Sequence, residues 1–200
     1  MITLPNNVEV NYFAGAGAMS GTIGATALSD GSIALDRRAV VVTSSSHGVK
    51  ANTDLFVSDI DTGTAYLSNR MRRIFAVGAD TLTLALAREE AYAAGTPAGT
   101  ESWCAGYISK YPYFLLGFKI HLSAADSNGE TLTLTTDSGQ NSSVTYWDTL
   151  LYSKVMTGVT DIVWFPEVRI PLMGNDAIKF AWTNTGAKTW GIELFTQARV

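Results

Sequence analysis

Two alternating apolar runs near the end of the sequence constrain the fold more than any other feature. They span residues 176–183 and 189–196, and a short loop containing Gly186 joins them. Every second position in them carries a large apolar side chain, in chain order Ile178, Phe180, Trp182, Trp190, Ile192 and Leu194. Because successive side chains of a strand point to opposite faces, the pattern predicts two strands, each with one buried face.

The spacing of the two runs predicts that they pair with each other in a β-hairpin. In the register that puts all the large apolar side chains on one face, Trp182 lies opposite Trp190 and Lys179 lies opposite Glu193. A slip of one residue would turn the apolar face to water, so the register is strongly specified. On the other face Phe195 stands among small or mixed residues, which predicts an exposed ring and a docking position.

Turn residues recur about every ten positions in the rest of the sequence, without crossover helices between the alternating runs. This pattern predicts an all-β protein. Its parts are an N-terminal strand with an extended Gly/Ala-rich arm (residues 1–32), a small β-barrel or sandwich (33–100) and a jelly-roll-like β-sandwich (101–200). Residues 95–100 are the predicted linker, and residues 88–94 are the one short helical candidate.

A further hairpin is predicted around the dipeptide Asn128-Gly129, a sequence that favours a tight turn. Alternating residues 116–122 precede this turn, and alternating residues 131–136 follow it. The sequence therefore predicts that these two strands pair with each other across the turn.

Residues 14–32 contain five glycines among small side chains. Their spacing is not G-x-G-x-x-G and no amphipathic helix follows, which excludes a dinucleotide site. One interpretation is a flexible segment. The other is an extended arm on a neighbouring subunit, since small residues allow close backbone approach; its candidate contact residues are Gly15, Gly17, Met19 and Gly21. If these residues form such an arm, we expect deletion of residues 1–32 to abolish assembly onto particles and to leave the monomer folded.

Charged residues make up 16% of the chain, whereas about 25% is usual in soluble domains. A surface of Thr, Ser, Gly and Ala is typical of an all-β protein or of one covered by partners. The net charge of −4 and the lack of a basic run exclude a nucleic-acid footprint. No apolar run reaches the ~18 residues of a membrane span. Cys104, the single cysteine, excludes an internal disulfide and a multi-cysteine metal site.

The basic residues cluster in one place, at Arg70, Arg72 and Arg73. The cluster is consistent with a solvated strand end. Its alternative role is a contact with an acidic surface of a neighbouring subunit.

The residues with possible catalytic chemistry lack the spacing of an active site. His121 alternates outward on a strand and His47 lies in a Ser-His-Gly turn, and neither has an adjacent carboxylate. The acidic pairs fit a turn and the polar side of a short helix better than a glycosidase site; they are Asp59 with Asp61 and Glu89 with Glu90. We therefore expect no enzymatic activity, no cofactor and no metal.

Trp147 is the one tryptophan that the sequence favours as exposed, next to Tyr146 and Asp148. An exposed ring near polar groups stacks on sugars, and jelly rolls often carry lectin sites. A carbohydrate-binding module is therefore one alternative, and packing of Trp147 in a core or a subunit interface is the other.

Residues 39–84 contain two segments that resemble a known module. Residues 39–57 read Ala-Val-Val-Val-Thr-Ser-Ser-Ser-His-Gly-Val-Lys-Ala-Asn-Thr-Asp-Leu-Phe-Val, and residues 73–84 read Arg-Ile-Phe-Ala-Val-Gly-Ala-Asp-Thr-Leu-Thr-Leu. Together they resemble a small β module common in virion proteins of tailed bacteriophages, in which a Ser/Ala-His-Gly-Leu turn joins two strands. The sequence departs from that module at three places, which are Val49 for Leu, Ala51-Asn52 for Gly-Asp and Leu82 for Phe.

The resemblance implies a non-enzymatic structural protein of a bacteriophage virion, assembled in the host cytoplasm. A capsid decoration (cement) protein is the expected role. Its implied partners are its own subunits in a homo-oligomer, with a trimer expected, and the major capsid protein; no nucleic acid and no membrane is expected. The alternatives are a tail or fibre adaptor and the carbohydrate-binding β-sandwich module.

Overall fold

The structure is a computed structural model. All the regular secondary structure of its described residues is β-strand. The described residues are 7–22, 29–30, 39–44, 47–51, 54–58, 70–85, 102–137 and 148–199. The first eight strands are β1 (Val8–Ala16), β2 (Ser20–Thr22), β3 (Ser29–Asp30), β4 (Ala39–Thr43), β5 (Asp54–Ser58), β6 (Arg70–Val77), β7 (Thr81–Ala85) and β8 (Ser102–Ile108). The other seven are β9 (Tyr113–Leu122), β10 (Thr131–Asp137), β11 (Thr149–Val155), β12 (Asp161–Trp164), β13 (Ile170–Leu172), β14 (Ala177–Ala181) and β15 (Thr189–Ala198). The predicted all-β class is confirmed.

The strands form a five-stranded sheet and a larger sheet. The five-stranded sheet has the order β1-β15-β9-β12, and β13 also pairs with β9. The larger sheet has the order β11-β10-β14-β8-β5-β6-β7-β4-β3, and β2 also pairs with β8. Neighbouring strands are antiparallel, which is the arrangement that lets one face of a sheet stay exposed to water.

The two sheets face each other across the largest hydrophobic core of the described residues. Phe118 of β9 packs edge-on against Phe180 of β14, with ring centroids 5.2 Å apart. Trp182 and Trp190 are buried in the same core. Side chains from the two inner faces meet in this way in a β-sandwich, so the predicted sandwich is confirmed.

A smaller core lies between strands β4 to β8, and it contains Val42, Val49, Leu55, Val57, Ile74, Leu82, Leu84 and Trp103. The indole Nε1 of Trp103 donates a 2.7 Å hydrogen bond to the Ser44 hydroxyl. Strand β8 serves both cores, because residues 102–104 pair with β5 and residues 105–108 pair with β14. The predicted linker and the predicted short helix, residues 88–100, lie outside the described residues.

The predicted hairpin at the end of the chain is wrong, although its buried side chains are correct. Strand β14 pairs with β8 and β10 in the larger sheet, whereas β15 pairs with β1 and β9 in the five-stranded sheet. Lys179 therefore forms its ion pair with Asp137, and Glu193 forms its own with Lys119. The loop of residues 182–188 crosses between the sheets, so all six alternating apolar side chains still point into the shared core.

The second predicted hairpin is also wrong, for the same physical reason. Residues 131–136 belong to β10, which pairs with β11 and β14. Residues 116–122 belong to β9 in the opposite sheet. The Asn128-Gly129 turn therefore lies in a loop that crosses from one sheet to the other.

The first part of the predicted arm, residues 14–22, belongs to the chain's own sheets. Strand β1 pairs with β15 up to Ala16, and β2 pairs with β8. Between them Met19 is fully buried in the larger core, its N–H donates to the Trp182 carbonyl and its carbonyl accepts from the N–H of Ala105. These residues are part of the fold, so a monomer without them loses core contacts. Residues 23–28 and 31–32 lie outside the described residues.

Candidate binding groove on the five-stranded sheet

Two adjacent rows of side chains face outward on the five-stranded sheet. The strand registers place Tyr12, Glu193, Lys119 and Val163 in the first row. They place Ala14, Gly191, His121 and Asp161 in the second row. Each row takes one residue from each of the strands β1, β15, β9 and β12, so it brings together residues that are far apart in the sequence.

A groove of about 600 Å³ lies over these two rows. Its floor is low at Gly191, where a Cβ atom would have nothing within 4 Å. Tyr12 and Val163 rise beside the floor with 69% and 68% of their surface exposed. The groove therefore offers an aromatic ring, an aliphatic side chain and a stretch of bare backbone to a ligand or a partner.

Two exposed ion pairs lie along the groove. Lys119 Nζ is 3.4 Å from Glu193 Oε2, and His121 Nδ1 is 2.7 Å from Asp161 Oδ1. The hydrogen bond with His121, followed by one with Thr160, lowers the pKa of Asp161. Exposed pairs of this kind contribute little to stability. The groove therefore presents hydrogen-bond donors and acceptors side by side.

The His121–Asp161 pair resembles half of a catalytic triad, but the groove does not complete it. Asp161 lies beside Nδ1 and would orient the ring. The described residues that line the groove include no serine, threonine or cysteine that could act as the nucleophile.

No protein-family model, curated protein or solved structure matches the chain. Among the residues that the structure describes, no group of three His, Cys, Asp or Glu side chains could hold a metal ion. The described part of the chain also contains no helix of the length and apolarity needed to cross a membrane.

Phe195, the predicted docking residue, is covered within the chain, so the expectation of an exposed ring there is wrong. It is 4% exposed, its ring centroid is 5.4 Å from that of Phe165, and Lys119 Nζ lies 5.2 Å from it. The register of β15 against β9 shifts between Phe195 and Thr196, and a bulge of this kind re-aims side chains. Alternation is therefore lost here, and Leu194, Phe195 and Thr196 are all buried.

Gly15, Gly17 and Gly21, predicted to contact a neighbouring subunit, contact tryptophans of their own chain. A Cβ atom would lie 2.6 Å from the Trp190 ring at Gly15 and 2.9 Å from the Trp103 ring at Gly21. The carbonyl of Gly17 accepts a 2.8 Å hydrogen bond from the Trp190 indole. These glycines are explained by internal packing, and we assign none of them to an interface.

The predicted basic cluster is divided between the interior and the surface. Arg72 is 4% exposed. Arg73 is exposed and its guanidinium is 3.1 Å from the Asp54 carboxylate, so it is already paired within the chain. Arg70 begins β6, and its side chain is not described. A contact between this cluster and an acidic neighbour stays a prediction.

The remaining candidates fall in two groups. His47 is 4% exposed, its Nδ1 accepts from the N–H of Val49, and its Nε2 therefore carries the proton donated to the Gly78 carbonyl. It has a structural role, as the sequence predicted. The other candidates lie outside the described residues, so the predictions about them stay predictions; they are Trp147, Asp59, Asp61, Glu89 and Glu90.

Sequence reasoning missed the groove because its parts come from four separate strands. The alternation around Lys119 and His121 indicated that both face outward. Nothing in that local pattern indicated that Tyr12, Glu193 and Asp161 would lie beside them. The signal that exists is the outward position of each residue on its own strand.

Proposed function

We propose that the chain is a non-enzymatic structural protein of a tailed-bacteriophage virion, a capsid decoration protein that binds neighbouring subunits. The observation that carries the proposal is the role of His47 in the segment that resembles the virion module. Its Nδ1 accepts from the N–H of Val49 within the turn after β4, and its Nε2 donates to the Gly78 carbonyl in the turn between β6 and β7. The residue that marks the resemblance thus connects two turns of the unit.

We assign neighbour binding to the groove. Tyr12 and Val163 are large hydrophobic side chains that are exposed to solvent on the outer face of the sheet. Such exposure is typical of interaction surfaces. The Lys119–Glu193 pair at the same place would orient a partner, because rim charges select register and partner. The proposed partners are other copies of the chain, in a trimer, and the major capsid protein.

Binding to particles tests this assignment. Particles are made from a phage that encodes the chain but from which its gene has been deleted, and purified protein is added back. Tyr12→Ala should reduce the bound protein at least tenfold relative to the wild type. Tyr111→Ala removes a ring of similar exposure, 76%, outside the groove and should bind as the wild type does. Equal binding by both variants would exclude the groove as the docking surface.

A carbohydrate-binding module is the second candidate function, and the groove is the observation that favours it. An exposed tyrosine stacks on a sugar ring, and the paired charges beside it supply both donors and acceptors for hydroxyl groups. An array of neutral oligosaccharides probed with the isolated chain tests it. Loss of binding in Tyr12→Ala but not in Tyr111→Ala would support the module, and no binding by the wild type would exclude it.

A further inference from the structure

Two arginines that are distant in the sequence meet on one aromatic ring. The guanidinium carbon of Arg169 is 4.1 Å from the centroid of Phe114, and that of Arg199 is 5.4 Å from it. Phe114 lies on β9 between Pro171 of β13 and Gln197 of β15. Arg169 directly precedes β13 and Arg199 directly follows β15, so both reach the same ring, where each makes a cation–π contact.

Hydrogen bonds hold the pair in position. Arg169 Nη1 donates to Gln197 Oε1 at 3.2 Å, and Gln197 Nε2 donates to Asn7 Oδ1 at 2.7 Å. The backbone N–H of Arg199 donates to the Pro112 carbonyl at 3.0 Å. The Arg169 guanidinium is thus held by the ring and by a hydrogen bond, whereas the Arg199 guanidinium is held by the ring and its backbone is fixed to the sheet. This anchoring reduces the entropy lost when they bind a ligand.

The two positive charges line a pocket of about 340 Å³ that contains no acidic side chain. Its lining consists of Asn7, Phe114, Arg169, Gln197, Ala198 and Arg199. Among the described residues, neither guanidinium has a carboxylate partner within ion-pair distance. Two like charges that line the same pocket repel each other, and an anion that binds both relieves this repulsion.

We propose that this pocket, which we call the Phe114 pocket, binds a dianionic tetrahedral oxyanion, the group found in a phosphate monoester. Guanidinium forks donate paired N–H bonds to phosphate oxygens, and arginine is preferred for such recognition. A dianion matches two fixed positive charges, whereas a carboxylate neutralises only one. The site is separate from the groove and goes beyond the proposed structural function, since it requires neither a virion nor a second subunit.

Titration of the isolated chain with inorganic phosphate at low ionic strength, followed by calorimetry, tests the proposal. We expect saturable binding of one phosphate per chain. Arg169→Gln and Arg199→Gln should each weaken it at least tenfold, because the guanidinium fork is lost while the length of the side chain is largely kept. Arg73→Gln is the matched control, since Arg73 is exposed but already paired with Asp54. It should leave the affinity unchanged.

Three results would overturn the proposal. They are absence of saturable phosphate binding, equal weakening by Arg73→Gln, and binding of acetate as tight as that of phosphate. Far-ultraviolet circular dichroism of each variant checks that the exposed substitutions leave the fold intact. Glycerol 3-phosphate and vesicles containing phosphatidic acid identify the source of the phosphate group. Binding of glycerol 3-phosphate indicates a soluble phosphate ester, and binding only to the vesicles indicates a lipid headgroup. Binding to either supports the site.

Discussion

Asp126 carries a carboxyl group in an environment that is unfavourable to a charged side chain. Its carboxyl group is buried, with 2% of the residue exposed, and neither side-chain oxygen has a hydrogen-bond partner among the described residues. Its backbone, by contrast, is well used, since the Asp126 carbonyl accepts from the N–H of Gly158 and the residue bridges to Thr157. The backbone of Asp126 therefore stabilises this loop, whereas its buried charged side chain opposes folding.

Asp126→Asn should raise the free energy of unfolding by about 1–2 kcal/mol, because it removes a buried charge without a partner and keeps the shape of the side chain. Urea unfolding at pH 7 measures it. Glu167→Gln, at an exposed acid, is the control and should change the free energy by less than about 0.5 kcal/mol. A clear loss of stability in Asp126→Asn would mean that the carboxylate has a stabilising partner in solution.

The Asp161 carboxyl provides a test that depends on pH. Its pKa is lowered, first by the hydrogen bond with His121 and then by one with Thr160. A folded-state pKa below the unfolded one contributes stability above the unfolded pKa, about 3.9, and that stability is lost as the pH falls through the folded pKa. His121→Ala should therefore raise the pKa of Asp161 towards its ordinary value. A nuclear magnetic resonance titration of the Asp161 carboxyl carbon measures this pKa. The same pKa in His121→Ala and in the wild type would contradict the hydrogen bond between Asp161 and His121.

At the scale of strands, the sequence predicted burial much better than pairing. Alternation along residues 176–183 and 189–196 correctly placed six large apolar side chains in the core, since the period of two depends only on the strand itself. It missed the burial of Phe195, which lies beside the bulge. The partners of β14 and β15 depend on the path of the connecting loop. In a sandwich a short loop can cross between sheets as readily as it turns within one, and both choices bury the same faces.

A double-mutant cycle distinguishes the two pairings. In the structure Lys179 pairs with Asp137, which is 4% exposed, and a predicted hairpin would pair Lys179 with Glu193 instead. We expect a coupling free energy of about 1–3 kcal/mol for Lys179 with Asp137 and about zero for Lys179 with Glu193. Urea unfolding of the alanine single and double mutants measures both. A coupling confined to Lys179 and Glu193 would contradict the crossing loop.

The segment predicted as an arm is tested by its methionine. Met19 is completely buried, so Met19→Ala should lower the free energy of unfolding by about 2–5 kcal/mol through lost contacts and a cavity. Met173→Ala is the matched control, because Met173 is 57% exposed and should cost less than about 0.5 kcal/mol. Thermal or urea unfolding measures both variants. Equal stability of the two variants would favour the predicted arm on a neighbouring subunit over burial of Met19 in its own chain.

At the scale of the whole molecule, the class and the sandwich could be predicted from the sequence, whereas the surfaces could not. Outward alternation at Lys119 and His121 is visible in one strand. The groove and the Phe114 pocket arise from contacts between residues that are far apart in the sequence, such as Tyr12 with Glu193 and Phe114 with Arg199. Such contacts follow from the order of strands in the five-stranded sheet, which local patterns do not specify.

The location of the chain in a particle tests the central claim most directly. Phage particles from a strain that encodes the chain are purified and labelled with a gold-conjugated antibody against it, and electron microscopy records the position of the label. A capsid decoration protein predicts many gold particles distributed over the head. Label restricted to the tail would contradict decoration in favour of an adaptor, and particles without label would contradict the virion assignment itself.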